Sequence, residues 1–391
     1  RLIKHFLNPV IALMRDMSAR GVTHRAIRVN NLFYSDKARK HLILGDCLTA
    51  PPGLNNDPLF EPLEQGMADP SARGAGGVGD DVYALGVIVI FLTLGKLPRL
   101  TMDPIEAINR KISQGSYGVL TAGARIPASV VELLRGMLSD DPRERWSLRE
   151  IELWLGGRRL TPKQPKLPNK AARPMMVGGV AGDNPRTVAE ALARNWLIAP
   201  EIVRGQDFDN WVRRSLGDDR VLENVNKVLG SAAVIQSVPE ADNQKLVTRA
   251  CMALDPPAPI RHKGFSAFMD GVGHALAIGF DRDDIRQRVA EFINARIIGQ
   301  WITLQARNRS ELNELYSVFD KLPMLINQAG SGYGIERVLY ELNPELHCRS
   351  PHVETFYITR IEELVPALER AAQRQDRGSQ PIDRHIAAFA T

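Results

Sequence analysis

Few residues in this 391-residue chain stand at spacings that could do chemistry. The densest set lies at residues 21–32, Gly-Val-Thr-His-Arg-Ala-Ile-Arg-Val-Asn-Asn-Leu. His24, Arg25, Arg28 and Asn31 bring a titratable ring, two fixed cations and a side-chain amide into one short loop. A second cluster, His347, Cys348 and His352, has metal-ligand types. It sits among Pro344 and Pro351 with no fourth ligand nearby and reads as a polar loop. Gly330-Ser331-Gly332-Tyr333-Gly334 precedes a helical pattern and could offer backbone N–H groups to an anion. No strand precedes it and its spacing is not Gly-x-Gly-x-x-Gly, so a helix-to-helix turn is expected.

The remaining chemical signal is electrostatic. The net charge is +5, but it is unevenly spread: residues 1–157, 158–182 and 183–391 carry +2, +6 and −3. One short segment therefore supplies the excess, through Arg158, Arg159, Lys163, Lys166, Lys170 and Arg173. A chain without a broadly basic face argues against nucleic acid as the main partner. No aromatic residues are interleaved with these six charges, and Pro162, Pro165, Pro168 and Pro174 favour extended chain, so a solvated basic linker is expected.

At 44% hydrophobic and 24% charged the chain is globular and long enough for two or three cores. The longest apolar run, residues 82–95, is 14 residues long, short of the roughly 20 that a bilayer span needs. No transmembrane segment is expected. Cys47, Cys251 and Cys348 are odd in number and far apart, which fits a reducing compartment and a cytoplasmic location. Arg1 already lies in an apolar helical pattern, so the chain reads as an internal piece of something longer.

Those residues need elements to hold them. Leu2, Phe6, Ile11, Leu13, Met14 and Met17 predict a helix ending at Gly21. Two apolar pieces, residues 31–34 and 41–44, predict a small hairpin. The run at 81–95 is apolar on all sides and predicts a buried central helix. Further helices are expected near 103–113, 128–138 and 147–155. Beyond the linker, Asn184-Pro185 offers a cap and a first-turn proline. Helices are expected near 206–216, 219–235, 240–254, 264–279, 282–305, 310–329, 334–342 and 361–375, with one strand candidate at 353–358. Trp196, Trp211 and Trp301 occupy apolar helical positions and are expected in cores.

In both context and spacing, residues 21–32 resemble the catalytic loop of protein kinases, His-Arg-Asp-Leu-Lys-Pro-x-Asn. Three more matches follow in the family's order. Residues 60–64 resemble the end of an activation segment, with Glu64 at the glutamate of Ala-Pro-Glu and Pro62 one place early. Residues 81–87, Asp-Val-Tyr-Ala-Leu-Gly-Val, are similar to the start of the large lobe's central helix. Residues 137–145 resemble the turn whose arginine, here Arg145, pairs with that glutamate.

The resemblance implies a role for each position. A kinase's loop aspartate accepts or orients the substrate hydroxyl proton, and here that position is Ala26, whose methyl group can do neither. Arg28 stands at the loop lysine and Asn31 at the metal-binding asparagine. The metal-binding Asp-Phe-Gly falls within residues 44–48. The alignment that preserves the following leucine puts Gly45 at the aspartate; a slip of one puts Asp46 there. What remains of the family pattern is bracing: His24 and Arg25 in the loop, Asp81 accepting from its backbone, and Glu64 with Arg145 closing the activation segment.

The fold class this implies is mainly α. A protein-kinase-like large lobe spans 1–157, without its small lobe in this chain, followed by a linker at 158–182. An all-helical domain covers 183–391, with a weaker boundary near 255–260. The implied function is a bacterial-type pseudokinase, a serine/threonine kinase homologue that binds protein partners in a signalling complex, with no catalytic residue, metal or cofactor expected. The alternative is an atypical kinase or nucleotide-dependent phosphotransferase, completed by an upstream small lobe and holding ATP and magnesium with Asn31 and Asp46. A third reading is a binder of nucleic acid or an anionic surface through the linker.

Overall fold

A computed structural model describes residues 2–37, 41–45, 51–97, 104–161, 170–305, 309–373 and 382–391. The chain is mainly helical, with three two-stranded antiparallel hairpins among the described residues. It divides into two compact units, Arg1–Gly271 and Val272–Thr391.

The first unit opens with α1 (Leu2–Ala19), which buries Phe6, Leu7, Val10, Ile11 and Met14 along one stripe. The loop at 22–31 follows, and then β1 (Leu32–Tyr34) pairs with β2 (Leu42–Leu44), Phe33 opposite Ile43. Short α2 (Leu63–Gly66) leads to α3 (Val78–Leu94). Residues 81–90 of α3 are all buried, as an all-round apolar helix must be. Around it lie α4 (Pro104–Gln114), α5 (Ser116–Thr121), α6 (Ala128–Met137) and α7 (Leu148–Leu155). A Cβ on Gly86 would stand 2.9 Å from Leu138 Cδ2, so this glycine lets the end of α6 approach α3. Ser147 and Glu150 close a capping box at the start of α7.

The same unit continues past the linker. β3 (Met175–Val177) and β4 (Val180–Gly182) form a hairpin inside the segment expected to be extended. Its two-residue turn, Gly178-Gly179, has φ of 55° and 84°, which the mirror-image turn of a tight hairpin requires. Next come α8 (Pro185–Arg194), capped by Asn184, then α9 (Ala199–Arg204), α10 (Gln206–Asn210) and a π-turn at Trp211–Ser215. The helix expected at 219–235 is two, α11 (Asp219–Val228) and α12 (Ala232–Ser237), broken at Gly230 with φ 84°. After α13 (Asn243–Leu254), β5 (Ile260–His262) pairs with β6 (Phe265–Ala267), where the apolar pattern predicts the start of a helix. Val188, Leu192, Phe208, Trp211, Leu246, Ala250 and Leu254 share one core. Trp211 is buried, whereas Trp196 and Trp301 are half-buried.

The second unit holds α14 (Val272–Gly279), α15 (Asp283–Asn294), α16 (Ile298–Leu304), α17 (Arg309–Asn327), α18 (Ile335–Leu342), α19 (Leu364–Ala372) and α20 (Arg384–Ala390). Arg296, at φ 51°, separates α15 from α16 where one helix is expected. The strand candidate at 353–358 is a 3-10 turn ending at Tyr357, whose φ of 48° takes it out of any extended conformation. The structural division thus falls at Gly271, whereas the sequence patterns place boundaries at the linker and near 255–260. Residues 171–271 pack on the lobe through contacts too distant in sequence for composition to reveal. Among the described residues no helix is long and apolar enough to cross a membrane.

Candidate functional site

The loop at 22–31 is built on one carboxylate. Asp81, in the first turn of α3, accepts from His24 N–H at 2.6 Å and from Arg25 N–H at 2.7 Å. Two consecutive donors aimed at one side chain turn Arg25 to φ 57°, a conformation costing roughly 1–2 kcal/mol for a non-glycine residue. Burial pushes Asp81 up to about 6, against the pull of the two N–H groups and the Arg25 guanidinium, so it is ionised at neutral pH.

Arg25 is itself buried. Its Nη1 donates to Asp80 Oδ2 at 2.7 Å and its Nη2 to Glu61 Oε2 at 3.0 Å. Burial opposes the charge, but Glu61, Asp80 and Asp81 together hold the guanidinium above its ordinary range. His24 accepts from Ala26 N–H at Nδ1, which leaves Nε2 as the donor to Gly45 O at 3.2 Å. Burial lowers the His24 pKa, so the ring is neutral at pH 7.

At the middle of the loop lies Ala26, its methyl group buried. Asn31 Nδ2 donates to Ala26 O at 2.9 Å, and Gly45 N–H donates to Asn31 O at 2.8 Å. Gly45 therefore lies against both Asn31 and His24. A Cβ there would collide with Asn31 Oδ1 and meet the Phe33 ring at 3.0 Å, so a side chain at this position would require Asn31 and Phe33 to shift. Arg28 turns away, its Nη1 donating to Asn55 O at 3.1 Å. Asp46 lies outside the described residues.

A second buried pair closes the far end. Arg145 Nη2 donates to Glu64 Oε1 at 2.8 Å, Nε donates to Ser139 O at 3.0 Å, and the guanidinium lies 5.5 Å from the Tyr83 ring centroid. Burial raises the Glu64 pKa and Arg145 opposes it. Asp80 bridges the two pairs, with Arg145 Nη1 at 3.4 Å from its other oxygen. The chain of contacts runs Glu61, Arg25, Asp80, Arg145, Glu64, in which Asp80 is half-buried and the other four are buried.

The described members of the basic linker set do not converge. Arg158 and Arg159 are exposed after α7, Lys170 pairs with Asp183 at 3.1 Å, and the Arg173 carbonyl accepts from Trp211 Nε1 at 3.0 Å. Lys163 and Lys166 lie outside the described residues. In the second unit, His347 stacks on Tyr357 at 4.6 Å while Cys348 is buried. Among the described residues no group of three His, Cys, Asp or Glu side chains could hold a metal ion. Residues 330–334 lie in the turn joining α17 to α18, and Gly330, Tyr333 and Gly334 line a cavity of about 550 Å³ with Phe280, Arg286, Glu336 and Arg384.

Curated proteins similar to this chain are kinases. Serine/threonine-protein kinase 40 of Xenopus tropicalis is 26% identical over 151 residues, which is 38% of this chain and 34% of that protein. The Homo sapiens protein of the same name is 25% identical over 146 residues, 36% of this chain and 33% of that one. Putative CBL-interacting protein kinase 13 of Oryza sativa subsp. japonica is 26% identical over 151 residues, 36% of this chain and 28% of that one. The chain is protein-kinase-like over that stretch. It spans about a third of the length of these relatives. No protein-family model matches it, and no solved structure does.

In the kinase-like lobe, three residues escape sequence reasoning. Asp80 is overshadowed by Asp81, although an acidic doublet opening an otherwise apolar helix is itself a signal. Glu61 is hidden beside Glu64. Lys111 of α4 reads as an ordinary solvated lysine, yet it is buried, donates to Pro58 O at 2.8 Å and Glu61 O at 2.7 Å, and lies 5.1 Å from the Tyr83 ring centroid. Burial lowers its pKa from 10.5 to about 8, against four nearby carboxylates. Between those two values the folded chain sheds a proton that the unfolded chain keeps, so this group's contribution to stability rises with pH. The stability of wild type relative to Lys111→Met is expected to rise by up to roughly 3 kcal/mol from pH 8 to pH 10.5. Urea melts at a series of pH values measure it; a difference that stays flat contradicts the assignment.

Proposed function

We propose that this chain is a pseudokinase, a kinase-like lobe that acts by binding protein partners and not by transferring phosphate. The observation that carries this reading is the residue at the middle of the loop, Ala26. At the centre of the loop, where a carboxylate would orient the attacking hydroxyl, stands the buried methyl group of Ala26, and Gly45, whose N–H donates to Asn31 O, brings no side chain of its own. Phosphoryl transfer needs carboxylates to hold magnesium and to orient the attacking hydroxyl. The braces around the loop, by contrast, are complete, which supports a lobe kept for its shape. A signalling complex in the cytoplasm of a bacterium is the setting we infer for it, with partners engaging the folded surface and no nucleotide required.

The test is thermal: melting of this chain, and of any longer protein containing it, with ATP and with or without magnesium. A ligand that binds only the folded state must raise the melting temperature by mass action. An unchanged melting temperature at millimolar nucleotide is the expected result. A magnesium-dependent rise that Asn31→Ala or Asp46→Ala abolishes overturns the proposal in favour of an active transferase.

A further inference from the structure

The loop between α2 and α3, residues 67–77, is gripped from both sides within the first unit. On one side stands the chain that follows β5. Ser266 Oγ donates to Met67 O at 2.8 Å, and Ser266 O accepts from Asp69 N–H at 2.8 Å. Phe268 N–H donates to Ala72 O at 3.1 Å, and the Asp270 carboxylate accepts from Ala75 N–H at 2.9 Å. The fit is close: a Cβ on Gly271 would collide with Ala72 O, and one on Gly74 with the Asp270 carboxylate. Ala258 completes a buried apolar cluster with Leu63, Met67, Ile108 and Ile112.

On its other side the same loop touches the braces of the candidate site. Thr23 Oγ1 donates to Ala75 O at 3.2 Å. Gly76 lies so near the Arg25 guanidinium that a Cβ would collide with it. Arg73 Nη1 donates to Gly53 O at 2.7 Å and stands 3.7 Å from Glu61, the partner of Arg25. Asp270 and Arg25 thus press on neighbouring residues of one loop, 74–76, from opposite sides.

We propose that residues 266–271 are a clamp built into the fold. The segment that follows β5 holds the α2–α3 loop through Ser266 and Asp270, and through that loop fixes the conformation of residues 23–26. Asp270 is a positioning residue, acting on the candidate site without touching it. Nothing in this depends on whether the lobe transfers phosphate, because the contacts are the same under either reading. The clamp therefore stands or falls separately from the nucleotide test.

Hydrogen exchange read by mass spectrometry on the 391-residue chain tests it, comparing wild type with Asp270→Ala and Asp270→Asn. The alanine variant loses a charged acceptor, and exchange at residues 23–28 and 73–77 is expected to rise about tenfold, with α8 and α13 unchanged. Asparagine keeps a carbonyl oxygen for Ala75 N–H and is expected to restore most of the protection. Wild-type exchange at 23–28 in Asp270→Ala, or an asparagine variant no better than alanine, overturns the clamp. Should Asp270→Ala unfold the whole unit, Ser266→Ala, which loses only the bond to Met67 O, decides by the same comparison. Faster exchange confined to 67–77 and 23–28 then supports the clamp, and an unchanged pattern overturns it.

Discussion

Replacing Arg145 by methionine is expected to destabilise the first unit by about 3–5 kcal/mol, the range for removing one member of a buried ion pair. Methionine fills much of the space beside Tyr83 but leaves the Glu64 carboxylate buried with its charged partner gone. Both side chains of the pair are nearly inaccessible to water, so solvent does not screen the loss. Asp80 loses its contact with Arg145 as well, and Ser139 O loses a donor. The informative control is the double variant Glu64→Gln/Arg145→Met. Removing both charges takes away the unpaired carboxylate, so the double variant is expected to be no less stable than Arg145→Met alone. Denaturant melts of the four proteins in the cycle measure this. Costs of the two single variants that simply add would show that the two residues act independently.

The second large effect is expected at Asp81. Asp81→Asn preserves size but offers one oxygen where two N–H groups converge, and turns an amide N–H₂ toward the other. A buried donor left without an acceptor, together with the lost ionic acceptor, costs about 2–4 kcal/mol. Arg25 then loses the backbone contact that favours φ 57°, and relaxation of that residue weakens the hold of its guanidinium on Asp80 and Glu61. Hydrogen exchange should therefore show residues 23–26 opening in the variant before α3 melts. A variant with wild-type stability and unchanged exchange at His24 and Arg25 would mean that the loop is held by other contacts.

These two sites show unequal legibility. The order of the motifs leads directly to Glu64 and Arg145, and the side chains lie 2.8 Å apart across 81 positions of sequence. The same order leads to Asp81 beneath the loop backbone. Glu61 and Lys111 were not legible, because nothing in their types distinguishes a buried charge from a solvated one, and the acidic doublet marks Asp80 without revealing the two arginines it joins. The register at residues 44–48 stays undivided in the sequence, where Gly45 and Asp46 are one position apart. In the structure Gly45 is the residue whose carbonyl meets His24 and whose N–H meets Asn31.

By itself the sequence determined the main helices around the first core and a kinase-like relationship. Apolar residues recurring on one helical stripe specify α1, and ten consecutive positions without a polar face specify the buried α3, because a helix repeats every 3.6 residues whatever surrounds it. Only the tertiary structure decided which residues meet across long intervals. Ser266 and Asp270 sit on the loop at 67–75, Asp80 joins Arg25 to Arg145, and the compact unit ends at Gly271 rather than at the linker. Such pairings depend on how finished helices and hairpins pack, and packing is set by complementary shape and charge that periodicity along the chain does not encode.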